Sequence, residues 1–240
     1  MGEKLYEGKA KVVYATTEKP DEVLMVFKDE ATAFDGKKRG TIADKGVRNA
    51  AISAVLFRYL QDHGIPGHFL EQVDERTLRV RRVKIIPLEV VVRNIAAGSF
   101  SRRLGWPEGQ LLVEPLVEFF YKDDALGDPL VTEDHIRLLG LATADEINRL
   151  KELALAVNRL LQDFWRERGI VLVDFKLEFG KTETGEILLA DEISPDTCRL
   201  WDAETGEKLD KDRFRRDLGR VEEAYAEVLR RARSAPGQAK

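Results

Sequence analysis

A chain of 240 residues, 43% hydrophobic and 34% charged, can bury a full core as one domain or two small ones, and describes a soluble globular protein. Its formal net charge of −4 argues against a general nucleic-acid binder, whose affinity rests on neutralising phosphates. No apolar run approaches the roughly 18 residues that a membrane helix needs. The charged start "MGEKLYEGK" lacks the apolar centre of a secretion signal, and a lone Cys198 permits no intrachain disulfide, so a cytoplasmic protein is expected.

Strands come first. Residues 4–6 and 11–14 flank a turn at Gly8, and a strand over 23–28 follows. Over 45–63, Val47, Ala50, Ala51, Ala54 and Phe57 recur at helical spacing until Gly64 stops the run. Strands over 77–84 and 86–94 come next. Pro87 between them interrupts pairing and marks a boundary. It separates a β-rich unit, 1–85, from an α+β unit, 86–233, with "SAPGQAK" in a frayed tail over 234–240. A helix over 145–168 buries Leu150, Leu153, Val157, Leu161 and Phe164, with Thr143 and Glu146 at capping-box spacing. "GIVLVDFKLEFG" and "EILLADEIS" form a hairpin across residues 181–185, and a third helix is expected over 211–233, presenting Phe214, Leu218, Val221, Tyr225 and Val228. Strands clustered early and helices among later hairpins indicate an α+β fold.

Four stretches carry candidate chemistry. In "YEGKAKVVY" the turn at Gly8 sets Lys9 and Lys11 beside exposed backbone N–H groups, a setting for polyphosphate and equally for an ordinary hairpin with surface lysines. In "IPLEVVVRNIAAGSFSRR" a buried strand delivers Arg93 to a small-residue turn ending in Ser99. Guanidinium and hydroxyl together suit a phosphate monoester, unless Arg93 is merely paired with Glu89.

In "LVDFKLEFG" the two-residue period puts Asp174, Lys176 and Glu178 on one face and Val173, Phe175, Leu177 and Phe179 on the other. In "LLADEISPD" Asp191 and Glu192 point to opposite sides of their strand, so one should join that charged face. Two carboxylates on neighbouring strands can hold Mg²⁺. Asp196 and Arg199 follow, and then "DKDRFRR" crowds Lys211, Arg213, Arg215 and Arg216 at a helix start, against its dipole unless an anion sits there. His63, His68 and His135 lack zinc-ligand spacing, and Cys198 reads as a packing residue.

Jointly, "LYEGKAKVVY", "IPLEVVVRNIAAGS", "LVDFKLEFG", "DEISPDTCRLWD" and "KDRFR" resemble the SAICAR synthetase family of purine biosynthesis over nearly the whole chain. The resemblance implies a ligase that consumes ATP to join L-aspartate to carboxyaminoimidazole ribonucleotide. It also implies a first lobe like the small lobe of protein kinases, with the nucleotide held between the two parts.

On that basis Gly8, Lys9, Ala10 and Lys11 would cover the ATP phosphates. Val13 and Leu24 would wall the adenine, with the backbone of Arg82, Val83, Lys84 and Ile85 at its edge. Glu178 and Asp191 would ligate Mg²⁺, with Lys176 and Lys122 on the phosphates. Arg93, Ser99 and Arg199 would take the ribonucleotide phosphate and Asp196 its ribose. Asp128, Asp174 and Arg215 would line the remaining pocket, and Asp174 would be placed to accept the proton of the attacking ammonium. A homodimer fits the resemblance, although no interface stripe stands apart from the core helices. Two other classes share parts of the pattern: a kinase, which would need no aspartate, and a non-catalytic nucleotide-binding module. The protein-kinase motifs H-R-D and D-F-G are missing, since D-F at Asp174 is followed by Lys.

Overall fold

The structure, a computed structural model, describes residues 2–17, 19–33 and 37–238. It begins with β1 (Lys4–Glu7), β2 (Lys11–Ala15) and β3 (Glu22–Phe27), then a separate hairpin of β4 (Glu30–Ala33) and β5 (Lys38–Thr41). After helix α1 (Lys45–Asp62), β6 (Phe69–Asp74) and β7 (Thr77–Arg81) complete a five-stranded antiparallel sheet ordered β1-β2-β3-β7-β6. Alternation along β3 and β7 buries Val23, Met25, Phe27, Leu78 and Val80.

A second, six-stranded sheet starts at β8 (Lys84–Ile95), and α2 (Gly98–Leu104) follows. Next come β9 (Leu111–Tyr121), β10 (Leu130–Val131), α3 (Glu133–Leu138) and α4 (Ala144–Arg166). The chain then forms β11 (Ile170–Lys181), β12 (Ile187–Ala190), β13 (Cys198–Asp202), α5 (Asp212–Arg215) and α6 (Val221–Arg233). The order is β10-β9-β8-β11-β12, with β13 alongside the first half of β11, and every pairing is antiparallel. Helix α4 starts at a complete capping box: Glu146 N–H donates to Thr143 Oγ1 at 3.2 Å, and Thr143 N–H to Glu146 Oε2 at 2.9 Å. Its apolar stripe lies on β11 and β8. Helices α1 and α6 pack on each other. No helix among the described residues is long and apolar enough to cross a membrane.

Three expectations change. The helix expected over 211–233 is two pieces, α5 and α6: although the apolar spacing continues, Gly219 and Arg220 both take positive φ and break it. Strand β8 runs unbroken over Pro87. Between the pairs Gly180–Ile85 and Glu178–Glu89 the register shifts, so the missing N–H of Pro87 falls where the ladder skips. The strand after the late hairpin ends at Ala190, since Asp191 takes a left-handed φ of 59°. Strands β4, β5, β6, β9, β10 and β13 and helices α2 and α3 are additions to the sequence reading. Beyond α6, Gly237 N–H donates to Glu167 O at 3.0 Å, and the last two residues of the tail lie outside the described residues.

Candidate active site

A cavity of about 740 Å³ opens between the two sheets. The turn after β1 contributes Gly8, Lys9 and Ala10, and β2 contributes Lys11 and Val13. The crossing between sheets supplies Arg82 and Val83, and the second sheet and its loops supply Ile85, Lys122, Asp128, Lys176, Glu178 and Asp191. Leu24 is not among the lining residues. Val13 is the cross-strand partner of Met25, so these two share the cavity face and Leu24 lies with Tyr14 on the other. Val23, Met25 and Val80 form the apolar wall with Val13. Lys84 is also absent from the lining; it is exposed and pairs with Lys181 in the ladder.

The charged face of β11 is set by register. Glu178 stands opposite Glu89 of β8, and Lys176, one pleat away, donates to both, at 2.6 Å to Glu178 Oε1 and 3.0 Å to Glu89 Oε1. That ammonium relieves a like-charge cross-strand pair. Glu178 is 2% exposed and also takes Lys122. Because the chain turns at Asp191, both Asp191 and Glu192 reach Lys11 Nζ, at 2.6 and 2.7 Å, where alternation predicted one of them on this face. Burial alone would lower the pKa of Lys11. The two carboxylates outweigh it and hold the value well above the ordinary one. Lys176 is raised the same way, and Asp191 is lowered, its burial outweighed by Lys11 and Lys176.

Glu178 and Asp191 both approach Lys176 Nζ, at 2.6 and 3.9 Å, so two hard anionic donors converge at the cavity wall. Among the described residues no group of three His, Cys, Asp or Glu is gathered for a metal. Two carboxylates fit Mg²⁺, which completes its shell with phosphate oxygens and water.

A second cavity of about 210 Å³ adjoins the first, sharing Glu89, Lys176, Asp196, Thr197 and Arg215. Here Arg93, Asp174 and Arg199 stand side by side on β8, β11 and β13. Arg93 is 2% exposed. It donates to Glu118 Oε2 and Asp174 Oδ2, each at 2.7 Å, and to Ser99 Oγ at 3.1 Å; Glu89 is not its partner. Arg199 donates to both oxygens of Asp174 and through Nε to Asp212 Oδ2 at 2.9 Å. The "DKDRFRR" cations are paired rather than crowded at a helix end: Arg215 with Asp212, Arg213 with Glu207 and Arg216 with Glu108.

Several contributing residues escaped the sequence reading. Glu118 and Asp212 orient the arginines. Lys45 Nζ and Tyr225 Oη donate to Asp196 Oδ2 and Oδ1 at 2.8 and 2.6 Å. Lys45 left one local trace, a cation in the first turn of a helix; Tyr225 read only as part of an apolar stripe. His68 is buried, with Nε2 3.1 Å from the Asp191 carbonyl. Cys198 is buried too, and burial pushes its thiol pKa up.

The family model for SAICAR synthetase matches residues 4–232. A phosphoribosylaminoimidazole-succinocarboxamide synthase of Brevibacillus brevis is 60% identical over 229 residues, 95% of each chain. The crystal structure of the synthase of that name from Ehrlichia chaffeensis superposes with a TM-score of 0.94 at 48% identity, covering 98% of this chain and 100% of that one. A SAICAR synthetase solved in complex with ADP gives 0.92 at 49% identity, over 96% and 98% of the two chains. The chain belongs to the SAICAR synthetase family.

Proposed function

We propose that the chain joins the amine of L-aspartate to the carboxylate of carboxyaminoimidazole ribonucleotide, converting ATP to ADP and phosphate through an acyl phosphate. One observation carries this reading. The lysine-and-carboxylate cavity between the sheets and the arginine-lined cavity beside it meet at Lys176, which lines both. The first suits a triphosphate and the second a phosphate monoester, so the reacting carboxylate would lie where they join.

A carboxylate and an amine do not condense at neutral pH because oxide is a poor leaving group; as an acyl phosphate the same carbon loses phosphate readily. Phosphorylation brings anions together, however. One pair of unit charges at about 4 Å repels by about 4 kcal/mol at an effective dielectric near 20. Lys9, Lys11, Lys122 and Lys176 would offset this at the triphosphate. Mg²⁺ held by Glu178 and Asp191 would supply further charge neutralisation at the transferred group. The adenine would lie between the sheets against Val13, Val23, Met25 and Val80, in the manner of a kinase small lobe, with the backbone of residues 82–85 at its edge.

Arg93, Ser99 and Arg199 would take the ribonucleotide phosphate, with Asp128 and Arg215 lining the space around the imidazole and aspartate. Asp174 is 3% exposed and its oxygens receive both Arg93 and Arg199, so its role in this reading is to bridge two guanidinium groups rather than to accept a proton. The test is a coupled assay for ADP. Release should require aspartate and the imidazole ribonucleotide together. Phosphorylation without aspartate would indicate a kinase, and no ADP under any condition a binding module.

A further inference from the structure

Helix α1 opens with a residue that helix electrostatics disfavour. Lys45 is its first residue, the preceding Asp44 has φ 58° and makes no side-chain cap, and no acid stands in the first turn. The helix N-terminus carries partial positive charge, which opposes a cation. Lys45 is also only 1% exposed, so water cannot relieve it. Its compensation comes from 151 residues away, where Asp196 Oδ2 accepts from Nζ at 2.8 Å.

The other oxygen of Asp196 accepts from Tyr225 on α6, which is fully buried. Two helices that pack on each other therefore grip one carboxylate, and that carboxylate lies where the two cavities meet. On the same face of α1, two turns beyond Lys45, buried Ser53 donates to the backbone, to Ile193 O at 3.1 Å, and so anchors the helix without bonding the carboxylate. Asp196 has its pKa lowered: burial would raise it, but Lys211, Lys45 and Tyr225 outweigh burial.

We infer that Lys45 and Tyr225 are positioning residues, which fix the Asp196 carboxylate so that its remaining lone pairs accept hydrogen bonds from the ribose hydroxyls of the ribonucleotide. A carboxylate has about four acceptor sites, and the helices take two. Without them the terminal torsion of an aspartate is broad and the acceptor direction undefined. An ionised carboxylate only accepts, so the ligand group it selects is a donor, as a hydroxyl is. This inference rests on the function proposed above.

The experiment measures equilibrium binding of carboxyaminoimidazole ribonucleotide, and separately of ADP, to the wild type and to Tyr225→Phe, Lys45→Met and Ser53→Ala. Tyr225→Phe keeps the ring and removes one hydrogen bond to a charged group, so ribonucleotide Kd should rise roughly tenfold while ADP Kd stays within about twofold. In an Asp196→Asn background the same change should add nothing. Ser53→Ala should lower the melting temperature without moving either Kd, and Lys45→Arg should bind better than Lys45→Met. Wild-type affinity in Tyr225→Phe, equal weakening of both ligands, additive losses, or a Ser53→Ala variant that reproduces the shift would overturn the inference. If Lys45→Met does not fold, Tyr225→Phe decides alone. A wild type that binds no ribonucleotide overturns the proposed function and this inference together, whereas a binding wild type with an unaltered Tyr225→Phe overturns the inference only.

Discussion

Arg93 and Arg199 stand on strands either side of β11, yet their Nη1 atoms meet on one oxygen, Asp174 Oδ2, at 2.7 and 2.9 Å. Each guanidinium is also held from behind, Arg93 by Glu118 and Arg199 by Asp212. Burial would lower the pKa of Arg199, but Asp174 and Asp212 outweigh it, so the cation is secure. Two like charges this close would separate without the shared carboxylate, and the phosphate site proposed above uses both. Asp174→Asn should therefore raise the KM for the ribonucleotide by about 10- to 100-fold while leaving the KM for ATP within about twofold. A residue acting only as proton acceptor would show the opposite pattern, with kcat lost at every pH and KM unmoved. Steady-state kinetics with each substrate varied in turn separates the two.

Gly98 bears on the same pair. Its φ is +57°, and a methyl group there would come within 2.8 Å of Arg199 Nη1 and collide with Nη2. Gly98→Ala should cost about 1–2 kcal/mol from the left-handed backbone alone. It should also push Arg199 out of line and raise the ribonucleotide KM at least about tenfold, with ATP binding retained. An unchanged KM would show that the phosphate is bound without Arg199.

What the sequence revealed followed the range of the interaction concerned. Helix α4 was legible because its capping box and its stripe from Leu150 to Phe164 lie within one segment. The acid-base-acid face of β11 was legible because alternation is local. The break between α5 and α6 was missed because Phe214, Leu218, Val221 and Tyr225 keep helical spacing across Gly219, and periodicity outweighed the glycine. Strand β9 carries Pro115 in its middle, a residue that argues against a strand when read locally. That proline is tolerated because the ladder with β8 skips between Leu111 and Leu116, and β10 pairs only at Phe119 and Phe120. The resemblance puts Leu24 on the adenine wall, whereas register with β2 sets it on the outer face. Lys45, Glu118 and Asp212 act through partners 13 to 151 residues distant, which only the folded sheets and helices bring together.

Lys176 has a double load. It contacts Glu89, Glu178 and Asp191, and it faces both cavities. Lys176→Met should lower kcat by about 10²- to 10³-fold, through loss of charge at the transferred phosphoryl group. It should also leave Glu89 and Glu178, opposite each other in the ladder, without the ammonium between them. The variant should accordingly melt below the wild type in the absence of ligands. If Glu178 and Asp191 bind Mg²⁺, that ion alone should raise its melting temperature more than it raises that of the wild type. Equal responses to Mg²⁺ would mean that the metal is held elsewhere.

Two buried groups make opposing contributions to stability near neutral pH. Burial, then the charge of Asp212, pushes the Asp210 carboxyl up to about 7, and burial pushes the His68 imidazole down to about 4. Between pH 4 and 7 folded Asp210 keeps a proton that the unfolded chain has released, so its contribution is full below about 4 and is lost as pH rises through 7. Between pH 6.5 and 4 folded His68 stays neutral while the unfolded chain takes a proton, so its contribution is full above 6.5 and is lost as pH falls. Each slope is at most about 1.4 kcal/mol per pH unit, and they run in opposite directions. Glu108 and Glu227, held down to about 2 by hydrogen bonds from Arg216 and Arg230, add stability that is complete by about pH 5. From pH 5 to 6.5 these groups should thus leave the urea-unfolding free energy of the wild type nearly flat. His68→Gln, which keeps a donor for the Asp191 carbonyl, should expose the Asp210 slope, with stability falling by up to about 2 kcal/mol as pH rises across that window. Asp210→Asn should expose the His68 slope, with stability rising. Parallel pH profiles for all three proteins would show that neither group titrates as its surroundings dictate.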